Sequence, residues 1–439
     1  MPPRGLGRGR LGSMPLGGAE YYLDTQINNP SSDVFRRLQF KRRDPSTGRY
    51  EANWQDATEF VKRWGTIDTA VDDVRLNKFT HSGVNVTCRN DTGRFNDETN
   101  SSSLWFGWMT RYRSLMRIQA GYKTAGGELP SDATQGIFIL TDEIEQDAVS
   151  NEVTLRGSSL QSVFDEVRAR ELPGIGATFT ASELVTRIRD HTDGAGLSIF
   201  QEFISSGAWT IQTTTNYYVF NTDTLENMTT WGLMEKLAEA EGNVLLINRT
   251  GGIEFRNRDP RQSSSQFSFF GQGFPRQNII KLKNENEAVN KLFTFFRLKY
   301  LDADTSTSYV TAGTTTAVSA SNISWRYGQR VYEADNTFPL NTTTAQTIVN
   351  DLFTDFSGVK KEMDIDAKFH PTLEVLDRVD VSYRSYDVAF NSLWDVMVWD
   401  TDTWSREGNN FDYDGKAYKI LGKRINLDNF VMGTKLREI

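Results

Sequence analysis

"TTWGLMEKLAEAEGNVLLINRTGGIEFRNRD", residues 229–259, is the stretch from which the rest of the chain is best read. Leu233, Met234, Leu237 and Ala238 fall on one face of a helix. Gly242 follows, where a helix end usually needs a residue with positive φ. Val244 to Ile247 and Ile253 to Phe255 then predict two apolar strands joined across the turn-forming run Asn-Arg-Thr-Gly-Gly. The local structure is closely specified, yet no residue in it suggests catalysis.

The same device recurs upstream. "SSLQSVFDEV", residues 158–167, places Leu160, Val163, Phe164 and Val167 on one helical face, and Ser158 with Gln161 has capping-box spacing. In "TASELVTRI", residues 180–188, Thr180 and Glu183 form the box while Leu184, Val185 and Ile188 form the stripe. Residues from about Gly157 to Asn290 therefore read as an α/β segment.

Strand signals dominate on both sides of it. "GVNVTCRNDTGRF", residues 83–95, alternates Val84, Val86 and Cys88 with Asn85, Thr87 and Arg89 before a turn. "LMRIQAGY" puts Met116, Ile118, Ala120 and Tyr122 on one face, and "GIFIL" from Gly136 reads as a buried strand. Downstream, "FFRLKY" (295–300), "EMDIDAKF" (362–369), "DRVDVSYR" (377–384) and residues 416–439 are strand-like, the last a hairpin turning at Leu427-Asp428-Asn429. One helix interrupts them: Thr343 and Gln346 have box spacing, and Ala345, Ile348, Val349, Leu352, Phe353 and Phe356 make a wide stripe. The Thr/Ser-rich run at 302–322 reads as a mobile loop.

The order predicts a mixed, β-rich α+β fold with two antiparallel β-barrel domains flanking a middle α/β domain. The divisions fall at 1–20 (a flexible Gly/Pro/Arg arm), 21–157 (first β-barrel-like domain), 158–290 (middle α/β domain) and 291–439 (second β-barrel-like domain, with one helix).

Composition narrows the function. No run approaches the 18 or so apolar residues of a membrane-spanning helix, and the first twenty residues lack the apolar core of a secretory signal. A net charge of -8, spread along the chain, argues against a dedicated nucleic-acid binder. The single cysteine, Cys88, excludes an intrachain disulfide and reads as a small core residue. The basic run Arg36–Arg43 is either a solvated strand face or a contact with an acidic neighbouring subunit.

Chemistry is sparse. The three histidines, His81, His191 and His370, sit at element ends, where polar residues commonly lie on the surface, and there is no GxSxG nucleophile elbow. Asn410, Asp412, Asp414 and Gly415 imitate half a calcium loop, but the twelfth position is Leu421 where a bidentate Glu is required. "GRGRLG" at Gly7–Gly12 matches the dinucleotide fingerprint only in letters, with neither strand nor helix around it. Trp394, Trp399 and Trp404, near Asp395, Asp400 and Asp402, could line a sugar cleft or pack at an interface. No catalytic, cofactor-binding or metal-binding residue is assigned.

Taken in order, several of these segments resemble bacteriophage tail-tip and baseplate hub proteins. Residues 229–259 are similar to the hub's helix, apolar strand, glycine turn and strand ending in basic residues. "FTHSGVNVTCRNDTGRF" is similar to the early strand-turn of the hub's first β domain, and "EVTLRGSSLQSVFDEV" to the entry of its middle domain. "NENEAVNKLFTFFRLKY" is similar to the strand leaving that domain. "LEVLDRVDVSYR" is similar to a strand of the second β domain, with Leu376 standing where the family has glycine, and the final hairpin to its closing one.

The resemblance covers about Val74 to Ile439 and implies two tube-protein-like β domains per chain. It implies a homotrimer that offers six similar surfaces, a passage for DNA in transit and for the tape-measure protein, and a place at the distal end of the virion tail. The implied partners are distal tail or tube ring proteins and tail fibre or spike proteins, with no lipid anchor and no cofactor. Two alternatives stay open: another tail-tip part with a carbohydrate-binding face, and a cell-wall glycosidase.

Overall fold

A computed structural model describes residues 33–44, 46–47, 49–71, 79–81, 83–95, 101–109, 114–123, 133–141, 145–147, 151–172, 178–192, 200–219, 225, 228–271, 277–287, 292–301, 307–313, 328, 330–339, 342–356, 360–383 and 413–439. The arm at 1–20 with Gly7–Gly12, the three tryptophans Trp394, Trp399 and Trp404 with their aspartates, and Asn410 and Asp412 lie outside the described residues.

The first large sheet holds β1 (Val34–Arg42), β2 (Gln55–Asp56), β3 (Val61–Arg63), β6 (Val84–Arg89), β7 (Ser114–Tyr122), β8 (Thr134–Leu140), β9 (Glu145–Asp147) and β10 (Glu152–Ser159). Its order is β2-β1-β7-β8-β10-β6-β3, with β9 beside β10, and every pair is antiparallel. Among the described residues the path runs from β2 to β3 without closing, so this is a partial barrel.

The second holds β4 (Thr66–Val71), β5 (Phe79–His81), β16 (Phe267–Phe270), β17 (Ile279–Glu287), β21 (Lys361–Lys368), β22 (Arg378–Tyr383), β23 (Tyr413–Asn426) and β24 (Val431–Glu438). Its order is β16-β22-β23-β24-β21-β17, with β4 on β23 and β5 on β4. It is not wholly antiparallel, because β16 runs parallel to β22. Nor is it contiguous in sequence: β4 and β5 come from the first 157 residues, and β16 and β17 from before residue 290.

Period-two alternation builds one core between the two sheets. Val84, Val86 and Cys88 are buried on β6 while Asn85 and Arg89 point outward. Phe40, Ile118 and Phe138 of the first sheet share a cluster with Phe269, Ile365, Ile420 and Leu436 of the second. Burial pushes the Cys88 thiol up to about 12, so it is an inert core residue at neutral pH.

The second cluster gathers the helices and small sheets. These are α1 (Gln161–Glu166), α2 (Ala181–Arg189), α3 (Thr230–Ala240) and α4 (Thr342–Phe356). β11 (Thr178–Thr180) pairs with β13 (Tyr217–Val219); β12 (Trp209–Ile211), β15 (Ile253–Asn257) and β14 (Asn243–Ile247) form another sheet in that order. β19 (Thr307–Gly313), β18 (Phe295–Leu301) and β20 (Val331–Pro339) form a third. Leu184, Leu237, Leu245, Phe296 and Val349 all join this cluster. Together these elements make a mixed, β-rich α+β fold.

The opening stretch forms as expected. Thr229 caps α3, its hydroxyl accepting from Gly232 N at 3.0 Å, and Gly242 ends it at φ +67°. Asn248 Oδ1 accepts from Thr250 N and Gly252 N, closing the turn between β14 and β15. The Thr180 box also forms, with Glu183 N to Thr180 Oγ1 at 3.2 Å and Thr180 N to Glu183 Oε2 at 2.9 Å.

Three local expectations fail. Ser158 is no cap, because β10 continues through Ser159 and α1 starts after Leu160; the Ser158 hydroxyl meets Ser162 instead. Thr343 lies inside α4, and the Gln346 amide donates to Thr311 O and Asn350 Oδ1 rather than turning back to a cap. Within the Thr/Ser-rich run, 307–313 form β19, paired with β18 along its length, while 302–306 and 314–322 lie outside the described residues. Thr, Tyr and Val have strand-fitting side chains even where bulky apolar residues are few.

Candidate functional site

Among the described residues a dense cluster of buried charge lies where the β14–β15 hairpin meets the second large sheet. Residues 373–377 connect β21 to β22, and Lys423 projects from β23. Arg261, just past β15, is the centre. Its Nη1 lies 2.8 Å from Glu254 Oε1, its Nη2 3.0 Å from Glu374 Oε2 and its Nε 3.8 Å from Asp377 Oδ1. Its Nε also donates to Val375 O at 3.0 Å, and its backbone N–H to Leu376 O at 2.9 Å. Arg249 Nε sits 3.0 Å from Glu374 Oε1, and Arg249 Nη1 donates to Thr134 O of β8 at 3.1 Å. Lys423 Nζ donates to Leu373 O at 2.6 Å, and Glu374 N donates to Asp377 Oδ2 at 2.7 Å. The side chains of Arg249, Glu254, Arg261, Glu374 and Asp377 are only 6% to 14% exposed.

The cluster therefore ties together three pieces remote in sequence: the first sheet, the β14–β15 hairpin and the second sheet. A buried charge network of this kind is costly to leave half paired. It fixes one arrangement, and the cavity lined by Arg249, Arg261, Glu374 and Lys423 holds about 20 Å³, room for a single water. Among the described residues no group of three or more His, Cys, Asp and Glu side chains could hold a metal.

The histidines correct the surface expectation. His81 on β5 is 8% exposed and stacks on Phe138 at 5.2 Å; His370 is 5% exposed and packs on Phe267 at 4.4 Å. Burial, reinforced by the nearby Lys423 cation, lowers His81 to about 4 and, with Arg249 adding, His370 to about 3. Neither is poised as a general base near neutral pH. His191, just past α2, is half-buried. Asp414 and Gly415 lie in β23, which runs directly on as strand.

The basic run is mostly engaged within the chain. Arg36 Nη2 donates to Asp428 O at 2.9 Å, Arg37 pairs with Asp56 at 3.0 Å, Arg42 lies over Trp108 and Arg43 pairs with Glu202 at 2.7 Å.

The shifts give a signed pH prediction. Each histidine contributes stability that is complete above its unfolded value of 6.5 and is lost as pH falls through the folded value, about 4 for His81 and about 3 for His370. Asp377, raised by burial to about 6 against the pull of Arg261, acts in the opposite sense between its ordinary 3.8 and 6. Two histidines outweigh one aspartate, so the urea midpoint should fall as pH drops from 6.5 toward 4. His370→Gln should remove most of that net fall, because His81 alone barely exceeds the opposing Asp377. Lys423, lowered by burial to about 8, adds a rise in stability from there to 10.5. A midpoint flat from 6.5 to 4 would mean that both histidines are hydrated in solution.

No family model matches the chain, and no curated protein matches it by sequence. Solved structures do match. A tail protein from Neisseria meningitidis superposes with a TM-score of 0.53 at 10% identity, over 92% of this chain and 96% of that one. A prophage tail protein from Listeria monocytogenes gives 0.48 at 12% identity, over 91% and 94%. A tail protein of a Shewanella oneidensis prophage gives 0.46 at 11%, over 92% and 98%. The first of these likenesses establishes a shared fold along nearly the whole length of both chains.

Proposed function

We propose that this chain, which has the fold of a tail protein, is a structural hub of a phage tail tip or baseplate. The observation that carries the reading is the end-to-end match, 92% of this chain against 96% of the tail protein. A match of that extent gives the two chains one fold from end to end. The chemistry agrees, because the buried charges hold elements together and are closed to substrate.

In this reading the two large sheets are the frameworks of two tube-like β domains that pack on one shared core and flank a middle α/β domain. The division falls near residues 157 and 290, with β4–β5 and β16–β17 reaching across it. Three copies would close a ring with six similar surfaces, joining a sixfold tube to threefold tip parts. Its partners would be tube or distal-tail ring proteins, the tape-measure protein and fibre or spike proteins, with DNA only passing through. Symmetric closure is the usual outcome for a self-associating chain whose contacts close on themselves.

Light scattering with averaged particle images tests this. The expected particle has three times the 49.8 kDa chain mass and near-sixfold averages. A chain that stays monomeric even when its tail-tube neighbour is supplied would refute the hub.

A further inference from the structure

An open groove of roughly 680 Å³ lies between the exposed face of α2, β11 and the β12 segment, and shares no lining residue with the charge cluster. Its most exposed aromatic is Tyr217 on β13, at 66%. Strand alternation holds it outward: its neighbour Tyr218 is fully buried and donates its hydroxyl to Glu241 Oε1 at 2.8 Å. The groove is thus furnished with a flat ring kept in solvent by a firmly anchored neighbour.

Beside that ring stand two opposite charges that ignore each other. Glu183 and Arg187 are one turn apart on α2, the spacing at which such residues ordinarily pair. Here the Arg187 guanidinium lies over the Phe179 ring at 3.9 Å, and Glu183 Oε2 is taken by the Thr180 cap. Among the described residues no ion pair joins Glu183 to Arg187, and none takes up the guanidinium edge or Glu183 Oε1. Arg189 is neutralised by Asp190 at 2.8 Å, so the lining carries no net excess of either sign. Deeper in, Trp209 lines the groove at 7% exposure, and among the described residues its indole N–H has no acceptor. A buried donor left unpaired is costly and favours an incoming oxygen.

A flat aromatic face, a carboxylate oxygen, a guanidinium edge, threonine hydroxyls at Thr186 and Thr213, and no net charge fit one ligand class. A pyranose presents an apolar C–H face for stacking and neighbouring hydroxyls that both donate and accept. We propose that this groove binds a neutral oligosaccharide, with Tyr217 as the platform and Glu183 and Arg187 gripping adjacent hydroxyls. It binds without cleaving: among the described lining residues Glu183 is the one carboxylate, and glycoside hydrolysis uses two.

The test uses the full chain on a printed array of neutral and acidic bacterial-surface oligosaccharides, followed by calorimetry with the best neutral binder. Tyr217→Ala should weaken binding at least tenfold or so, while Tyr217→Trp retains it. Glu183→Gln keeps the cap, since glutamine also serves a capping box, yet should weaken binding. Circular dichroism and particle mass should be unchanged in each variant. Three results would overturn the proposal: no retention of any neutral glycan, a preference for acidic ones, or equal affinity in Tyr217→Ala. None of these bears on the ring mass, so the hub reading and the sugar site fail separately.

Discussion

Replacing Arg261 with alanine should destabilise the chain by about 3–5 kcal/mol, the cost of stranding buried charge whose partner is removed. The guanidinium is 14% exposed and faces three carboxylates, Glu254, Glu374 and Asp377. Solvent cannot take over its role, so the median value for surface pairs, below about 1 kcal/mol, does not apply. Arg261→Lys should rescue little, because one ammonium cannot reproduce the fork that reaches Glu254 and Glu374 on separate nitrogens. The double change Arg261→Met with Glu254→Gln should cost less than the sum of its parts, since Glu254 loses its 2.8 Å guanidinium partner in the first substitution and is left with the Arg256 cation at 4.0 Å. Urea midpoints measure the loss, and limited proteolysis should show the β14–β15 hairpin opening first. A loss for Arg261→Ala within about 1 kcal/mol would mean that the cluster is hydrated and holds nothing together.

This cluster also shows where reading the sequence runs out. Arg249, Glu254 and Arg261 lie within a dozen or so residues of each other, but Glu374, Asp377 and Lys423 are more than a hundred residues away. No local period relates them, and charged residues ordinarily signal surface. The same blindness put His81 and His370 on the outside. Their positions at element ends suggested exposure, while the aromatic neighbours that bury them, Phe138 and Phe267, come from other strands.

What was legible was local. The apolar stripes of α2, α3 and α4 and the alternation of β6, β7 and β21 show directly in residue spacing, because helix and strand periods are set by backbone geometry. Capping was legible where the preceding strand ended in time: Thr180 closes β11 and caps α2, whereas Ser158 is still held in β10, and Thr343 fails because α4 has already begun at Thr342. The groove at Tyr217 is not legible, since its walls come from two stretches, 178–189 and 209–217, that no local period relates. Strand pairing between distant segments was not legible either. Nothing in "TIDTAV" at 66–71 announces that it leaves the first sheet for β23 of the second.

That departure depends on Gly65, and Gly65→Ala should be among the most damaging single substitutions in the chain. Gly65 lies between β3, the last strand on its edge of the first sheet, and β4, which pairs with β23. It has φ +73°, and an added Cβ would overlap the backbone carbonyl oxygen of Asn85 on β6. The crossing is pinned on both sides: Trp64 N donates to Asp428 Oδ1 at 3.1 Å, and Gly65 O accepts from Leu427 N at 3.2 Å. The chain cannot swing aside without breaking its grip on the β23–β24 turn. The left-handed backbone costs an alanine about 1–2 kcal/mol, and overlap with immovable backbone adds about 1–3 more. Gly328 separates the two terms. It has φ +77° with nothing within 4 Å of an added Cβ, so Gly328→Ala should show the backbone cost alone. Asparagine tolerates the left-handed region, so Gly65→Asn should still fail if overlap dominates. Urea midpoints of the three variants decide it. If Gly65→Ala costs no more than Gly328→Ala, the crossing has room to spare. If it costs clearly more, the two large sheets are joined at a point that admits no side chain, and ring assembly should fail in the same variant.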